Sequence, residues 1–353
     1  MRSPEDRRQR LLAIVTERGT VSLRDLADAL SVSLVTIRRD AEHLNSAGLL
    51  VRQHGTVTSP EHLARQQGPD DSSPYVVMTV GAPSPYLSPV AQAARRRAYE
   101  LGLRFVLHLV SDDQAVEVIS RFQDDPDCVG VLLAPNWSWN ETLPRSSELL
   151  DSSGPVVLVE RAVAHEHPLA AMDQVSCDHG YGVFVALDHL RDLGHERIAL
   201  VARDDSPTAR AIRAAYTDII GSDESWTRIW TSPGNEQPDA YRTLEEFVDF
   251  AREQAVTAVL AHNDWTGLQI HQALQSRRGA APADLSIIAY DDVVAELSTT
   301  ALTAVAPPTR EIGRTAVDTV WRRIRHEDGA TTVRHVRLMP RLAVRGSTGS
   351  PQR

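Results

Sequence analysis

Ser33, Thr36, Arg38, Arg39 and His43 are spaced so that a helix would gather them on one side, and their chemistry suits a polyanion. Guanidinium groups bind phosphate oxygens and the acceptor edge of guanine, while hydroxyl and imidazole groups bond to either phosphates or bases. Ser33 is placed as a cap whose hydroxyl accepts from a free amide of the first turn. Leu34, Ile37, Ala41 and Leu44 recur at helical spacing on the opposite side and predict a buried face. Gly48 ends the helix, and residues 49–58 follow as two short extended runs about His54-Gly55, a hairpin that adds Arg52 and His54 to the set and carries Arg52 toward a nucleic-acid backbone. The chemistry is that of DNA contact; the plainer alternative is a solvated helix in a helical bundle.

A second set of polar residues follows apolar runs far along the chain. Glu160 and Arg161 follow VVLV, Asn263 and Asp264 follow AVLAH, and Asp291 and Asp292 follow SIIAY. In a two-lobed α/β protein such positions lie at the carboxyl ends of strands, where loops converge and lobe closure removes water. Asn263 and Asp291 are expected to face each other across such a cleft and to bond a hydroxyl-rich ligand. Asp264 and Asp292 are expected to cap the helices that follow them. Trp137, Trp139 and Trp265 offer faces on which a sugar could stack, with hydrophobic plugs as the equal alternative. Ser84, Tyr86 and Arg210 complete the candidate ligand set.

An enzyme would need a nucleophile with its base, a metal cluster or a phosphate loop, and none stands at useful spacing. His189 and His195 read as a helix and its cap, and the pairs Asp112-Asp113, Asp124-Asp125 and Asp204-Asp205 as solvated loops. No cofactor or metal is expected. Cys128 and Cys177 have no metal-type spacing and read as structural filling. The formal net charge is −10, yet residues 1–58 hold nine Arg against seven Asp or Glu, so they carry +2 and the remainder −12. Basic charge therefore sits where phosphates are expected, while the acidic bulk limits indiscriminate binding. All 37 Lys+Arg positions are arginine. No run approaches the ~20 apolar residues that span a bilayer, and MRSPEDRRQR lacks the core of a signal peptide, so a cytoplasmic location is expected.

At 353 residues two or three domains are expected. Leu11, Leu12, Ile14 and Val15 predict a first amphipathic helix, and Leu23, Leu26, Ala27 and Leu30 a second. Residues 59–74 are polar and rich in Pro, Gly, Ser and Asp, and read as a linker. From Tyr75 onward strands and helices alternate in two similar sets, which predicts parallel strands joined by helical crossovers.

The order RRQRLLAIV, VSLRDLADALSVSLVTIRRDAEHL, GLLVRQHGTV resembles the DeoR-type winged helix-turn-helix, over about a sixth of the chain. PVVLVERAV, CDHGYGVFVALDHLRDLGHERIALVA, AVLAHNDWTGLQIHQAL, LSIIAYDDVVAELSTTALTAV and RLAVRGST resemble the effector domain of the LacI/GalR family, itself similar to periplasmic sugar-binding proteins. That second resemblance spans residues 75–348. It implies a bilobal fold with two parallel-sheet lobes, lobe 1 at about 75–160 and 291–322 and lobe 2 at about 161–290 and 323–348, with 349–353 as a tail. It also implies that Glu160, Asn263 and Asp291 bond effector hydroxyls. Two departures stand out. The family's own helix-turn-helix and hinge helix are replaced by the winged head, and TARAIRAAY places Ile212 where sugar-binding members carry Arg, with Arg210 and Arg213 beside it.

The expected function is a DNA-binding transcriptional regulator, a repressor, that senses a small polar metabolite and acts as a homodimer or higher oligomer on operator DNA. Carbohydrate is the expected effector class. The alternative is a cytoplasmic solute-binding or enzymatic α/β protein with an accessory winged domain.

Overall fold

A computed structural model describes residues 4–46, 49–53, 55–59, 69, 71–81, 84–110, 114–135, 154–163, 165–203, 206–221, 229–232, 240–276, 285–325 and 332–351. His54, Trp137, Trp139, Gly48 and the helix expected near 146–151 lie outside these residues, as does the side chain of His43. The chain divides into two compact units, Met1–Tyr75 with Ala98–Phe105, and Val76–Arg97 with Val106–Arg353.

The first unit contains α1 (Pro4–Arg18), β1 (Thr20–Ser22), α2 (Leu23–Leu30), α3 (Leu34–Ser46), β2 (Val51–Gln53) and β3 (Thr56–Thr58). Its antiparallel sheet has the order β1-β3-β2, with Val57 opposite both Val21 and Arg52. Leu11, Val15, Leu26, Ile37, Ala41 and Val57 are fully buried in one core. Strand β1 is unexpected from the sequence, because a three-residue run with one apolar side chain has no readable period. Ser22 starts α2 by accepting from Asp25 N at 3.0 Å, and Ser31 ends it in the left-handed region at φ 53°.

Asp40, buried on the inner side of α3, receives Arg7 Nε from α1 at 2.5 Å. Arg7→Ala strands that carboxylate, which costs about 1–3 kcal/mol. Core amides of α1 to α3 should then exchange hydrogen roughly 5- to 150-fold faster in the full-length protein. Unchanged protection would show that the pair contributes nothing.

The second unit is built on two six-stranded sheets, of which only Tyr75 and residues 104–105, at the starts of two strands, are grouped with the first unit. The first has the order β14-β8-β7-β6-β4-β5, from β4 (Tyr75–Val80), β5 (Arg104–Leu109), β6 (Cys128–Ala134), β7 (Val156–Val159), β8 (Asp173–Cys177) and β14 (His335–Leu338). The second has the order β10-β9-β11-β12-β13-β15, from β9 (Ile198–Arg203), β10 (Ile229–Ser232), β11 (Ala258–Ala261), β12 (Ser286–Tyr290), β13 (Thr303–Ala306) and β15 (Arg341–Ala343). Strands β6, β7, β8 and β14 pair in parallel, as do β9 to β13, and β15 runs antiparallel to β13. Helices α4 (Leu87–Glu100), α5 (Ala115–Gln123), α6 (His179–Asp192), α7 (Pro207–Ile220), α8 (Ala240–Glu253), α9 (Asp264–Ser276) and α10 (Thr309–Arg325) link them. The bilobal parallel-sheet architecture expected from the sequence is the one observed.

Sheet membership corrects the lobe boundaries. Residues 161–177 stay with lobe 1 through β8, and 291–306 stay with lobe 2 through β13. Helix α10 packs on β6, β7 and β8, so the chain crosses between lobes at Asp178, at Pro307-Pro308 and at Met339-Pro340. Strand β8 is hidden in the sequence because DQVSC has no apolar run, yet all five residues are buried. Asp173 tolerates burial there because it accepts from Arg322 Nη2 at 3.0 Å, Arg323 Nε at 2.6 Å and Arg334 N at 2.7 Å.

The expected tail, residues 349–353, is tied down at its start. His195 is buried, and its Nε2–H donates to Gly349 O at 2.8 Å, leaving Nδ1 to accept from the Thr257 hydroxyl at 2.9 Å. His189 Nε2 lies 3.1 Å from Thr348 Oγ1, and Ser347 Oγ donates to Ile287 O at 2.6 Å. Burial lowers the His195 pKa below its ordinary value. The unfolded chain therefore binds this proton at a higher pH than the folded one. Its contribution to stability is complete above about pH 6.5 and is lost as pH falls through that value toward the folded pKa. The melting midpoint of the parent should fall more steeply between about pH 7.5 and 5.5 than that of His195→Gln; parallel curves would contradict the assignment.

Candidate functional sites: the α3 face and a cleft between two lobes

Helix α3 starts where the cap predicts. Ser33 Oγ accepts from Thr36 N at 3.2 Å and lies 2.8 Å from Thr36 Oγ1. Arg38 and Arg39 are exposed on its outer side, with no hydrogen-bond or ion-pair partner among the described residues. Arg52 differs from expectation. Its guanidinium reaches back to α3, where Nη1 meets Glu42 Oε2 at 2.7 Å, and its backbone amide donates to Asn45 Oδ1 at 3.1 Å. The hairpin brings β2 against α3, so the nearest anion is a side chain of the same unit. An exposed pair of this kind is worth about 0–1 kcal/mol and can be exchanged for a phosphate.

In the second unit a cavity of about 450 Å³ lies between the lobes. Lobe 1 contributes Glu160, Arg161, Ala162 and Ser176; lobe 2 contributes His179 at the start of α6 and Pro207, Thr208, Arg210 and Ala211 from the first turns of α7. The volume lies within the usual range for small-molecule sites, about 300–1,000 Å³.

Glu160 organises the cavity wall. It follows β7 with φ 57°, a left-handed conformation that costs a non-glycine residue free energy and is held here by Glu160 N donating to Val175 O at 2.9 Å. Its Oε1 accepts from Cys177 N at 2.8 Å and its Oε2 from the Tyr86 hydroxyl at 2.9 Å. His179 Nε2 stands 3.6 Å from Oε2, and His179 Nδ1 lies 3.1 Å from the Tyr290 hydroxyl. Burial alone would raise the Glu160 pKa, but His179, then Cys177 N–H and Tyr86, outweigh it and hold the carboxyl below the ordinary range. A chain of interactions thus runs from Tyr86 and Glu160 of lobe 1 to His179 and Tyr290 of lobe 2. Gly182 is required beside it, because a Cβ there would collide with the Tyr290 hydroxyl oxygen.

Arg161, buried, donates through Nε to Pro135 O and through Nη1 to Glu160 O at 2.6 Å. It belongs to lobe 1, not lobe 2. Arg210 lines the cavity from α7, whereas Ile212 is fully buried in the core of lobe 2.

Asn263 and Asp291 sit on the same lobe, after the adjacent strands β11 and β12, so they do not oppose each other across the cleft. Asn263 is itself the helix cap, its Oδ1 accepting from Thr266 N and Thr266 Oγ1, both at 2.9 Å. Asp264 does not cap. Its carboxylate gathers the loop after β12, accepting from Val293 N at 2.6 Å, Val294 N at 2.7 Å, and Asp292 N and Ala295 N at 3.2 Å. Asp292 pairs with Arg345, Nη1 to Oδ1 at 2.7 Å and Nη2 to Oδ2 at 3.1 Å. These anchors hold Asp291 at φ 98° and Asp292 at φ 54°. Burial, then the charges of Asp264 and Glu160, push the Asp291 pKa well above the ordinary carboxylate value.

Of the sequence candidates, Glu160, Arg161 and Arg210 line the cavity. Tyr86 joins through Glu160, Ser84 accepts from Leu87 N at 3.4 Å at the start of α4, and Trp265 is half exposed at the start of α9. His179, Tyr290 and Arg345 escape sequence reasoning. Among them only His179 carries a signal, the strand-to-helix turn in SCDHGYG with Asp178 as cap, which accepts from Tyr181 N at 2.8 Å.

A DeoR-like helix-turn-helix domain model matches residues 7–62, and a periplasmic binding protein-like domain model matches residues 187–348. The chain is 27% identical to the HTH-type transcriptional regulator DegA of Bacillus subtilis over 93% of this chain and 98% of that one. It is 25% identical to the HTH-type transcriptional repressor PurR of Haemophilus influenzae over 83% of this chain and 86% of that one. A LacI family transcriptional regulator from Enterococcus faecium, solved with bound ribose, shares the fold at a TM-score of 0.62 and 19% identity, covering 78% of this chain and 100% of that chain. The chain thus carries a DeoR-like helix-turn-helix region followed by a two-lobed, periplasmic binding protein-like region. The chain is a DNA-binding transcriptional regulator with a DeoR-like helix-turn-helix domain and a periplasmic-binding-protein-like effector domain. No helix among the described residues is long and apolar enough to cross a membrane.

Proposed function

We propose that this regulator is a repressor whose operator affinity is set by a small hydroxyl-rich metabolite, a carbohydrate or carbohydrate derivative, bound between the lobes. The observation that carries the reading is the cavity shared by Glu160 and Arg161 of lobe 1 and His179 and Arg210 of lobe 2. A ligand touching both lobes binds their closed arrangement better than the open one, and that difference in affinity is what can shift the DNA-binding state. Ribose bound by the Enterococcus faecium protein supports a carbohydrate.

In this reading Ser33, Thr36, Arg38, Arg39, His43, Arg52 and His54 meet the operator. Glu160, Arg161, Arg210, Asn263 and Asp291 bond the effector, and Ser84, Tyr86, Trp137 and Trp265 complete its surroundings. The protein acts in the cytoplasm as a homodimer or higher homo-oligomer, because one winged domain touches few bases and phosphates and two-fold assembly doubles them on a palindromic site. The test is operator release, followed by fluorescence anisotropy on a fragment of the protein's own upstream DNA, against compounds found in a thermal-shift screen of sugars and nucleosides. Asp291→Ala and Asn263→Ala should keep operator binding and lose response by roughly five- to a hundredfold, as unpaired ligand hydroxyls cost about 1–3 kcal/mol each. Parent-like response in both would place the ligand elsewhere.

A further inference from the structure

Val35 is out of place for an apolar residue. It lies in the first turn of α3 and is 67% exposed, whereas its apolar neighbours Val32 and Leu34 pack against the core of the first unit. A β-branched residue on an open helix face loses rotamer freedom without the burial that offsets the loss. On a helix, residues three, four and seven positions on share one side. Arg38, Arg39 and Glu42, all exposed, therefore surround Val35, and at about 100° per residue the two arginines fall to either side of it. The polar groups around it are partly engaged within the unit. Ser33 Oγ accepts from Thr36 N at 3.2 Å and lies 2.8 Å from Thr36 Oγ1, and Glu42 Oε2 accepts from Arg52 Nη1 at 2.7 Å. The isopropyl group thus stands at the centre of the outer face, with a guanidinium on each flank suited to phosphates.

We infer that Val35 packs against the C5-methyl group of a thymine and so fixes an A·T pair at one position of the site that each α3 reads. This rests on α3 facing the DNA and adds a specificity-determining residue to that reading. The residues that reach base edges are those at the start of such a helix, and the thymine methyl is the apolar group that the bases present in the major groove. Cytosine in the same place offers an amino donor, and a purine offers ring and carbonyl acceptors or an amino donor. Val35 can pair with none of these, so a wrong base loses the methyl contact and also leaves a polar group desolvated without a partner. The arginines supply attraction; Val35 sets the identity of one base pair.

The test uses the full-length protein. Binding sites are selected from a pool of random DNA duplexes with the parent and, separately, with Val35→Ala, and affinities are then taken by fluorescence anisotropy. The parent's sites should share a thymine at a position that Val35→Ala reads less strictly. Replacing that thymine by deoxyuridine, which lacks only the methyl group, should weaken the parent about fourfold, the worth of one buried CH₂ group, and Val35→Ala, whose shorter side chain does not reach, by less than about twofold. Val35→Thr, which keeps one of the two methyl groups, should fall between them. Because Val35 is uncharged, the slope of log affinity against log salt should be the same in parent and Val35→Ala. Selected sites with no shared thymine would overturn the proposal. So would deoxyuridine substitutions that act equally on parent and Val35→Ala; if Arg38→Ala with Arg39→Ala still abolishes specific binding in that case, the methyl contact falls and the docking of α3 stands. If the arginine variant binds the selected sites with parent affinity, α3 does not face the DNA and both fall together.

Discussion

Replacing Arg38 and Arg39 together with alanine is expected to abolish specific operator binding while leaving the thermal midpoint of the effector unit unchanged. Both guanidinium groups stand exposed on α3, and Ile37 and Ala41, which hold the helix on its core, are untouched. Removing an arginine that neutralises a phosphate should also reduce the slope of log affinity against log salt by about one unit, so the double variant should show residual binding about two units flatter. A base-reading arginine would instead cost about 1–3 kcal/mol and relax specificity at one position. Single variants separate these roles. Parent affinity in the double variant would mean that α3 does not face the DNA.

Glu160→Ala is expected to raise the effector concentration for half-maximal operator release by roughly 10- to 150-fold. The carboxylate accepts from Cys177 N and Tyr86 and faces His179 across the lobe boundary. Losing a hydrogen bond to a charged group costs about 1.5–3 kcal/mol, and the groups left behind are themselves buried. Glu160→Gln keeps an acceptor for Cys177 N but removes the charge toward His179, so it should fall between parent and Ala. Operator affinity without effector should match the parent in both. An unshifted effector curve in Glu160→Ala would show that the approach of Glu160 to His179 plays no part in sensing.

The α3 helix is legible in the sequence because every local rule agrees there: a serine cap, apolar residues at helical spacing, and arginines on the other face. The alternation of apolar runs with helices makes the two lobes legible as well. Residues whose roles depend on distant parts of the chain are not. Strand β8 is polar in sequence and buried only because Arg322, Arg323 and the Arg334 amide come to Asp173. Lobe membership follows from pairing across the sheet, which puts 161–177 in lobe 1 and 291–306 in lobe 2. Asn263 and Asp264 follow one strand, and their order alone does not say which one caps. The structure makes the first a cap and the second the anchor of a loop 28 to 31 residues away. Arg52, expected to point outward, meets Glu42 because the hairpin folds against α3.

The measurement that bears most directly on the central claim is operator affinity as a function of effector, taken by anisotropy with the full-length protein on its own upstream DNA. The compound is the one that most raises the thermal midpoint in a screen of sugars, sugar phosphates and nucleosides. The account predicts that this compound changes operator Kd by at least about tenfold, a coupling of about 1.4 kcal/mol, and that Glu160→Ala moves the required concentration without changing Kd in its absence. An operator Kd unaffected by a compound that binds and stabilises the parent would contradict it, because ligand in the cleft would then not govern DNA binding.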